Sequence, residues 1–420
     1  MDTGLPCVHC GLCLHSCPTY RELGSEADSP RGRIYLMEAI EAGEQEFDAP
    51  ARAHLDGCLA CKACETACPS GVDFSARMDK FRPRLAAAHR LAPGRRAALL
   101  VTRFPLLLKI AARTARLLDL LGLERLRRLL PGLGLMPGRK RKLRARGLTV
   151  GSPGKRSSGL RVALLQGCVG NAVAPGITRD AREVLERNGI TVVDVAGQGC
   201  CGAMHAHSGD RERAAELARH NVRLPDAAGL DHVVTTVAGC GAFMREYDSL
   251  LAHDDLLSGA AQRMAGATRD ISELLVEAGF DPPVQPLSDI GPVAYHDACH
   301  LLHGCSVAEQ PRIITRAAVG REPLELAESE LCCGSAGSYN LEQPSMAARL
   351  GRRKAAALGA SEASVLAVGN VGCILQIEMH ARRAGIGAEL LHPVELLARA
   401  YRQGPSPAAA SSRLSKIRRR

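Results

Sequence analysis

The chain has no tryptophan, and its six phenylalanines and six tyrosines make up only 3% of 420 residues. Proteins that grip single-stranded nucleic acid need such rings beside a basic groove, so composition disfavours a nucleic-acid partner. No stretch of about 18 apolar residues occurs, which leaves no transmembrane helix to expect. No apolar stretch precedes Cys7, so nothing at the start reads as a secretory signal. A cytoplasmic, reducing compartment is therefore expected, where cysteines serve as metal ligands rather than disulfides. No nicotinamide or flavin fingerprint is read in the chain.

The formal net charge of +10 is concentrated in two segments. Residues 139–161 carry nine basic side chains (Arg139, Lys140, Arg141, Lys142, Arg144, Arg146, Lys155, Arg156 and Arg161) and no acid. Residues 402–420 carry six more, again with no acid. Together they exceed the net charge, so the rest of the chain is mildly acidic. They read as a solvated linker and a frayed tail. Attraction to an anionic lipid face is the functional alternative.

What the chain has in excess is cysteine, seventeen residues in all. Cys7, Cys10, Cys13 and Cys17 form one run, and Cys58, Cys61, Cys64 and Cys68 another. Each has the spacing C-x2-C-x2-C-x3-C followed by proline. This resembles the ligand pattern of bacterial two-cluster ferredoxins, where the fourth cysteine serves the other cluster. The resemblance implies one [4Fe–4S] cluster on Cys7, Cys10, Cys13 and Cys68, and a second on Cys58, Cys61, Cys64 and Cys17. A zinc ribbon would need two separated pairs and no proline.

Five segments follow from the patterning. Residues 1–90 read as a small helical ferredoxin-type domain, with a helix expected after Pro30 through Ile34, Leu36, Met37 and Ile40. Residues 91–160 read as an amphipathic helical and basic linker region. Within it Lys109, Arg113 and Arg116 share one helix face, while Leu106, Ile110, Leu117 and Leu121 point elsewhere. Packing on the protein's own domains and lying in a membrane interface are the competing readings. Residues 161–285 and 286–402 form a duplicated α/β region, and 403–420 a disordered basic tail.

The duplication rests on cysteine spacing. Cys168, Cys200, Cys201 and Cys240 recur as Cys299, Cys332, Cys333 and Cys373 at a nearly constant offset. Strand-like RVALLQGC, TVVDV and HVVTTVAGC alternate with helical ITRDAREVLERNG and DRERAAELARHNVRL, which predicts parallel sheets. The cysteines then fall at the carboxyl edge, where such sheets bind ligands. These eight are candidate ligands for a further iron–sulfur cluster or a metal. Gly202 and Gly334, after each pair, allow close approach of a cofactor. Cys305 has Ala174 at its place in the first copy, and reads as a small buried residue or free thiol.

These copies resemble CCG domains, as in the catalytic subunit of heterodisulfide reductases. That pattern ends in C-x2-C. Here Val237 and Asn370 stand where the first cysteine of each ending would be, which argues against a double cluster of the heterodisulfide type. Taken whole, CVHCGLC, PRGRIYL, CPSGV, GCCGA, AGCGAFMREY and LCCGSAGSYNL resemble the iron–sulfur subunits of glycolate oxidase (glycolate dehydrogenase). The resemblance implies an electron-transfer subunit with no catalytic residue of its own. FAD-containing partner subunits would oxidise glycolate or D-lactate, and a quinone or other acceptor would take the electrons. It also implies a cytoplasmic protein, with peripheral contact on the inner face of the cell membrane as an option. Iron–sulfur subunits of anaerobic glycerol-3-phosphate or lactate dehydrogenase, or a heterodisulfide-reductase-like catalytic subunit, are the alternatives. His9, His15, His205, His207, His296, His300 and His303 lie near the cysteines. They read as hydrogen-bonded loop histidines, with proton handling near a quinone as the functional option.

Overall fold

A computed structural model describes residues 6–88, 99, 105–123, 158–165, 167–224 and 229–403. Its first part is helical. Helix Pro30–Ala42 starts on a proline, which needs no N–H there, and Ser29 caps it by accepting the Gly32 N–H at 3.0 Å. Gly43 ends it in the left-handed conformation. Its buried face, Ile34, Met37 and Ile40, packs with Leu55 of helix Ala49–Asp56 and with Met78, Phe81 and Leu85 of helix Phe74–Ala88. Cys7, Cys58, Cys64 and Cys68 border this small core.

The remainder contains two parallel four-stranded sheets. Strands β1 (Arg161–Leu164), β2 (Thr191–Val193), β3 (His232–Thr235) and β4 (Thr268–Asp270) run in the order β2-β1-β3-β4. Strands β5 (Val293–His296), β6 (Leu324–Glu325), β7 (Val365–Val368) and β8 (Glu389–Leu391) repeat it as β6-β5-β7-β8. The order of strand addition reverses between β1 and β3, and between β5 and β7. Ligands of open α/β sheets bind at such switch points. Strands are shorter than the apolar runs suggest. After β1 the chain turns off the sheet at Gly167, whose φ is +61°, before it reaches Cys168.

One continuous core joins the two copies. The last helix, Pro393–Gln403, packs on Glu309–Val319 of its own repeat and on Pro175–Arg187 of the other. Tyr401 donates to the Asp281 carbonyl at 2.5 Å. Arg402 pairs with Asp180 at 2.5 Å and with Glu183. It therefore belongs to the folded body and not to a solvated tail. Arg161, at the far end of the basic linker, likewise opens β1, and its backbone N–H bonds Asp231 at 2.7 Å.

In the amphipathic region the structure describes helix Pro105–Leu120. Leu108, Ala112 and Ala115 are buried, and the helix packs on Val169–Val173 of the first repeat. Leu107, Ile110, Leu117, Leu120 and Leu121 remain exposed. Leu106 is not described at side-chain level, nor is Arg116. Most of the basic linker and all of the tail beyond Gln403 lie outside the described residues. Among the described helices none is long and apolar enough to cross a membrane.

Candidate metal centre

The two ferredoxin-type runs adopt the same backbone trick. His9 (φ +52°) and Gly11 (φ +82°) in the first run correspond to Ala60 (φ +53°) and Lys62 (φ +62°) in the second. Left-handed backbone at a non-glycine residue costs about 1–3 kcal/mol and is held only where the surroundings demand it. It winds each C-x2-C-x2-C stretch into a loop that brings its three cysteines to the wall of one cavity.

The folded chain regroups the eight thiols across the runs. One cavity, with ≈ 30 Å³ of free space, is lined by Cys7, Cys10, Cys13 and Cys68. A second, of ≈ 50 Å³, is lined by Cys17, Cys58, Cys61 and Cys64. Both are dominated by sulfur and apolar atoms, a donor set suited to thiophilic iron. Burial pushes the thiols of Cys61 and Cys64 well above the ordinary range, and raises Cys13 as well. Thiolates form in such surroundings only when a bound cation compensates them.

Polar groups reach these sulfurs. Arg33 is 1% exposed; burial disfavours its charge, but Cys58, Cys17 and Asp28 together hold it above its ordinary value. Its Nη1 lies 3.9 Å from Cys17 Sγ, its Nε donates to the His54 carbonyl at 2.7 Å, and Asp28 Oδ1 stands 3.6 Å from Nη2. Ala60 N–H points at Cys58 Sγ (3.4 Å) and Val72 N–H at Cys68 Sγ (3.5 Å). Hydrogen bonds and charge of this kind tune cluster potentials.

The second cavity is closed on one side by Ala206, His207, Phe243 and Glu246 of the first repeat, while Cys61 on its wall reaches the second. Cys61 packs in one apolar cluster with Cys299, Cys332, Leu331 and Tyr339. Three further contacts fasten this junction. Tyr339 donates to the Gly57 carbonyl at 2.9 Å, His300 Nε2 donates to the Ala60 carbonyl at 3.0 Å, and His303 Nδ1 meets Thr66 Oγ1 at 2.9 Å. His300 also stacks on His207 of the first repeat, ring centres 5.5 Å apart.

Within each repeat the four cysteines meet at the sheet's carboxyl edge. In the first, Cys168 Sγ donates to Cys200 Sγ at 3.6 Å. Hydrogen bonds from Cys168, from Cys201 and from the Gly202 N–H hold Cys200 well below an ordinary thiol, while its two thiol partners are pushed up. In the second, Cys299 Sγ donates to Cys332 Sγ at 3.9 Å. There the bond from the preceding thiol favours the thiolates of Cys332 and Cys333. The bond each gives onward, together with complete burial, outweighs it and raises both. Val237 caps the helix carrying Cys240 without a ligand atom, whereas Asn370 Nδ2 donates to Cys373 Sγ at 3.3 Å.

Two family models match this chain. A "4Fe-4S dicluster domain" matches residues 4–72, and a "Cysteine-rich domain" matches 162–245 and again 293–378. A "Probable glycolate oxidase iron-sulfur subunit" of Bacillus subtilis is 35% identical over 94% of both chains. The chain belongs to the glycolate oxidase iron–sulfur subunit family. The "Glycolate oxidase iron-sulfur subunit" of Escherichia coli is 32% identical, with 94% of this chain and 93% of that one covered. A "Lactate utilization protein A" of Shouchella clausii is 29% identical over 57% of this chain and 98% of its own length. As a member of this family, the chain is an iron–sulfur protein of an oxidoreductase complex.

Three features of this family member escape a reading of the sequence. Arg33 lies on the buried face of its helix, four and seven residues before Met37 and Ile40, where an arginine would be read as exposed. Gly197, Gly199 and Gly202 do spell G-x-G-x-x-G after β2. The string follows an edge strand, its inner positions are Cys200 and Cys201, and the helix behind it spans only Ala203–His207. It is built around thiols rather than a pyrophosphate. His296 ends β5 inside the core, not in a loop. Of the other histidines, His205 pairs with Asp210 at 2.9 Å and His207 is half-buried, with desolvation pulling its pKa well below the usual histidine range, while His9 and His15 lie on the outer side of the first run. Cys305 is a buried core residue, its thiol pushed up to about 12 by burial.

Proposed function

We propose that the chain is the electron-transfer subunit of a complex that oxidises glycolate, with D-lactate as a second substrate, on FAD-containing partner subunits. It passes the electrons to a quinone or another acceptor. The observation that carries this reading is the gathering of eight thiols into two sets of four, one of them packed against the cysteines of the second repeat. Cys7, Cys10, Cys13 and Cys68 would hold one [4Fe–4S] cluster, and Cys17, Cys58, Cys61 and Cys64 the other. When bound, these clusters supply one-electron redox chemistry, which a flavin releasing electrons singly requires. The chain's own residues bury Cys17 and Cys61, fix the thiols on strained loops, and set a buried guanidinium beside Cys17 and Cys58. The subunit contributes no group to hydride abstraction.

We further propose peripheral contact with the inner face of the cell membrane. Exposed Leu107, Ile110, Leu117 and Leu121, with Lys109 and Arg113 exposed on the same short helix, support it.

The test is made on the purified complex with its flavin subunits. Glycolate, D-lactate and glycerol 3-phosphate are compared as substrates. Cys58→Ala is expected to abolish quinone reduction while substrate still bleaches the flavin. Glycolate-dependent quinone reduction that survives loss of both clusters contradicts the reading.

A further inference from the structure

His296 is the least explained residue in the molecule. It closes β5, is wholly buried, and neither ring nitrogen has a hydrogen-bond partner. The Ser329 backbone comes near enough to favour the protonated ring slightly, the weakest of the influences on it, but not at hydrogen-bonding geometry. Leaving an imidazole unsatisfied in a core costs about 1–3 kcal/mol, so such a ring is expected to have a partner supplied from outside the polypeptide. One ring nitrogen, Cys333 Sγ and Cys373 Sγ all lie within 4.8 Å of one another. Both cysteines are buried, at 1% and 2% exposure.

We propose that His296, Cys333 and Cys373 hold a single thiophilic divalent cation of the zinc class. The site deepens the reading of the repeat cysteines as metal ligands and rests on it. It lies at the far end of a row of thiols, Cys299, Cys332, Cys333 and Cys373, whose near end faces Cys61. Two thiolates and an imidazole are a borderline-soft donor set that leaves one position open. Tetrahedral ligation by these atoms needs them about 3.3–3.8 Å apart, so closure takes a side-chain movement of about 1 Å. The surroundings are those of a supported site. Asn370 donates to Cys373 Sγ at 3.3 Å, which steadies a thiolate ligand. Lys354, 1% exposed, is tethered to the carbonyls of Glu328 and Ser329 near Cys333; burial disfavours its charge, and Cys333 is the first of the neighbours that offset this. Two thiolates neutralise the dication, so the lysine does not face an excess of its own sign.

The first repeat serves as an internal control. At the offset that relates Cys168 to Cys299, His296 corresponds to Leu165, and Lys354 corresponds to Val222 at the same distance from its cysteine pair. Both are buried apolar residues. The first copy therefore lacks the nitrogen donor, and the site belongs to the second alone.

The experiment uses full-length protein made in zinc-depleted medium, with both clusters loaded to about eight irons per chain. Co²⁺ alone is the probe. One equivalent is expected to bind and to give thiolate-to-cobalt charge transfer in the near ultraviolet with tetrahedral d–d bands. His296→Ala and Cys373→Ser should lose these bands, and Cys240→Ser should keep them. His296→Cys should restore them, with the d–d bands moved to lower energy by a third thiolate. That rescue separates ligation from a packing defect. Wild-type protein that takes up no Co²⁺ overturns the proposal, as does His296→Ala that binds like wild type, or an iron–sulfur cluster found on these residues instead. Cluster iron is counted in the same samples. Failure of the cation site thus leaves eight irons and electron transfer intact, whereas failure of the electron-transfer reading shows as loaded protein that passes no electrons.

Discussion

The two repeats share a sheet order and four cysteine positions, yet they surround those cysteines differently. In the first, Cys168, Cys200 and Cys240 are half-buried, and neighbouring donors favour a thiolate on Cys200. In the second, all four are buried and pack towards Cys61, His296 and Lys354. Duplication supplied one scaffold, and a handful of substitutions around its carboxyl edge separated the uses. The backbone of an α/β unit sets where ligands sit, while the residues one layer out decide what those ligands can hold.

Thiol reactivity gives the largest expected contrast. In protein stripped of metal under anaerobic, reducing conditions, iodoacetamide should label Cys200 about 100-fold or more faster than Cys332 at neutral pH, as read by mass spectrometry. Since the Cys200 thiol is lowered, its labelling should fall little between pH 8 and pH 6.5. Labelling of Cys332, whose thiol is raised, should still be climbing above pH 8. Equal rates would erase the distinction between the repeats.

A smaller contrast lies where β4 and β8 end. Thr235 pairs with Asp270 across the first sheet, whereas in the second the pairing ends at Leu391, with His392 next in the chain. Both cap the helix that follows: Ser272 N–H donates to Asp270 at 2.8 Å, and Val394 N–H to His392 Nδ1 at 3.1 Å. Burial raises Asp270 to about 6. A carboxyl raised on folding binds its proton more tightly in the native state. Its contribution is complete below the unfolded value near 3.9 and is lost as pH climbs through about 6. Relative to Asp270→Asn, wild type should therefore lose about 2 kcal/mol of stability between pH 4 and pH 6.5. Denaturation midpoints of the two proteins that run parallel across that range would count against it.

The glycines after the cysteine pairs give the smallest contrast. An added Cβ at Gly334 (φ +83°) would meet the Ala347 carbonyl oxygen at 2.9 Å, and at Gly202 (φ +92°) the Ala214 oxygen at 3.1 Å. Either alanine pays about 1–2 kcal/mol for left-handed backbone, and the tighter site adds overlap. Gly334→Ala should destabilise by about 1 kcal/mol more than Gly202→Ala, measured as a shift in denaturation midpoint. Equal shifts would show the second repeat to be no more tightly closed than the first.

Much of this was legible in the chain. Pro30 and the apolar positions Ile34, Met37 and Ile40 announced the helix between the cysteine runs, because start signals and periodicity act locally. The recurring cysteines announced the duplication, and alternating apolar runs announced parallel sheets. Strand ends were overestimated because RVALLQGC stays apolar past the point where Gly167 turns it off the sheet. Which repeat meets Cys61, and that Arg33 and His296 are buried, depend on tertiary packing that no local pattern encodes. His296 did leave one trace: a histidine in a strand whose counterpart carries Leu165.

The most direct test concerns the regrouping of thiols across the two runs. Reduced full-length variants are compared by low-temperature electron paramagnetic resonance, with iron counted in each. Cys17→Ala is expected to lose the same one of the two cluster signals as Cys61→Ala, and Cys68→Ala the same one as Cys10→Ala. A Cys17→Ala spectrum that matches Cys10→Ala instead would contradict the crossed arrangement on which this account stands.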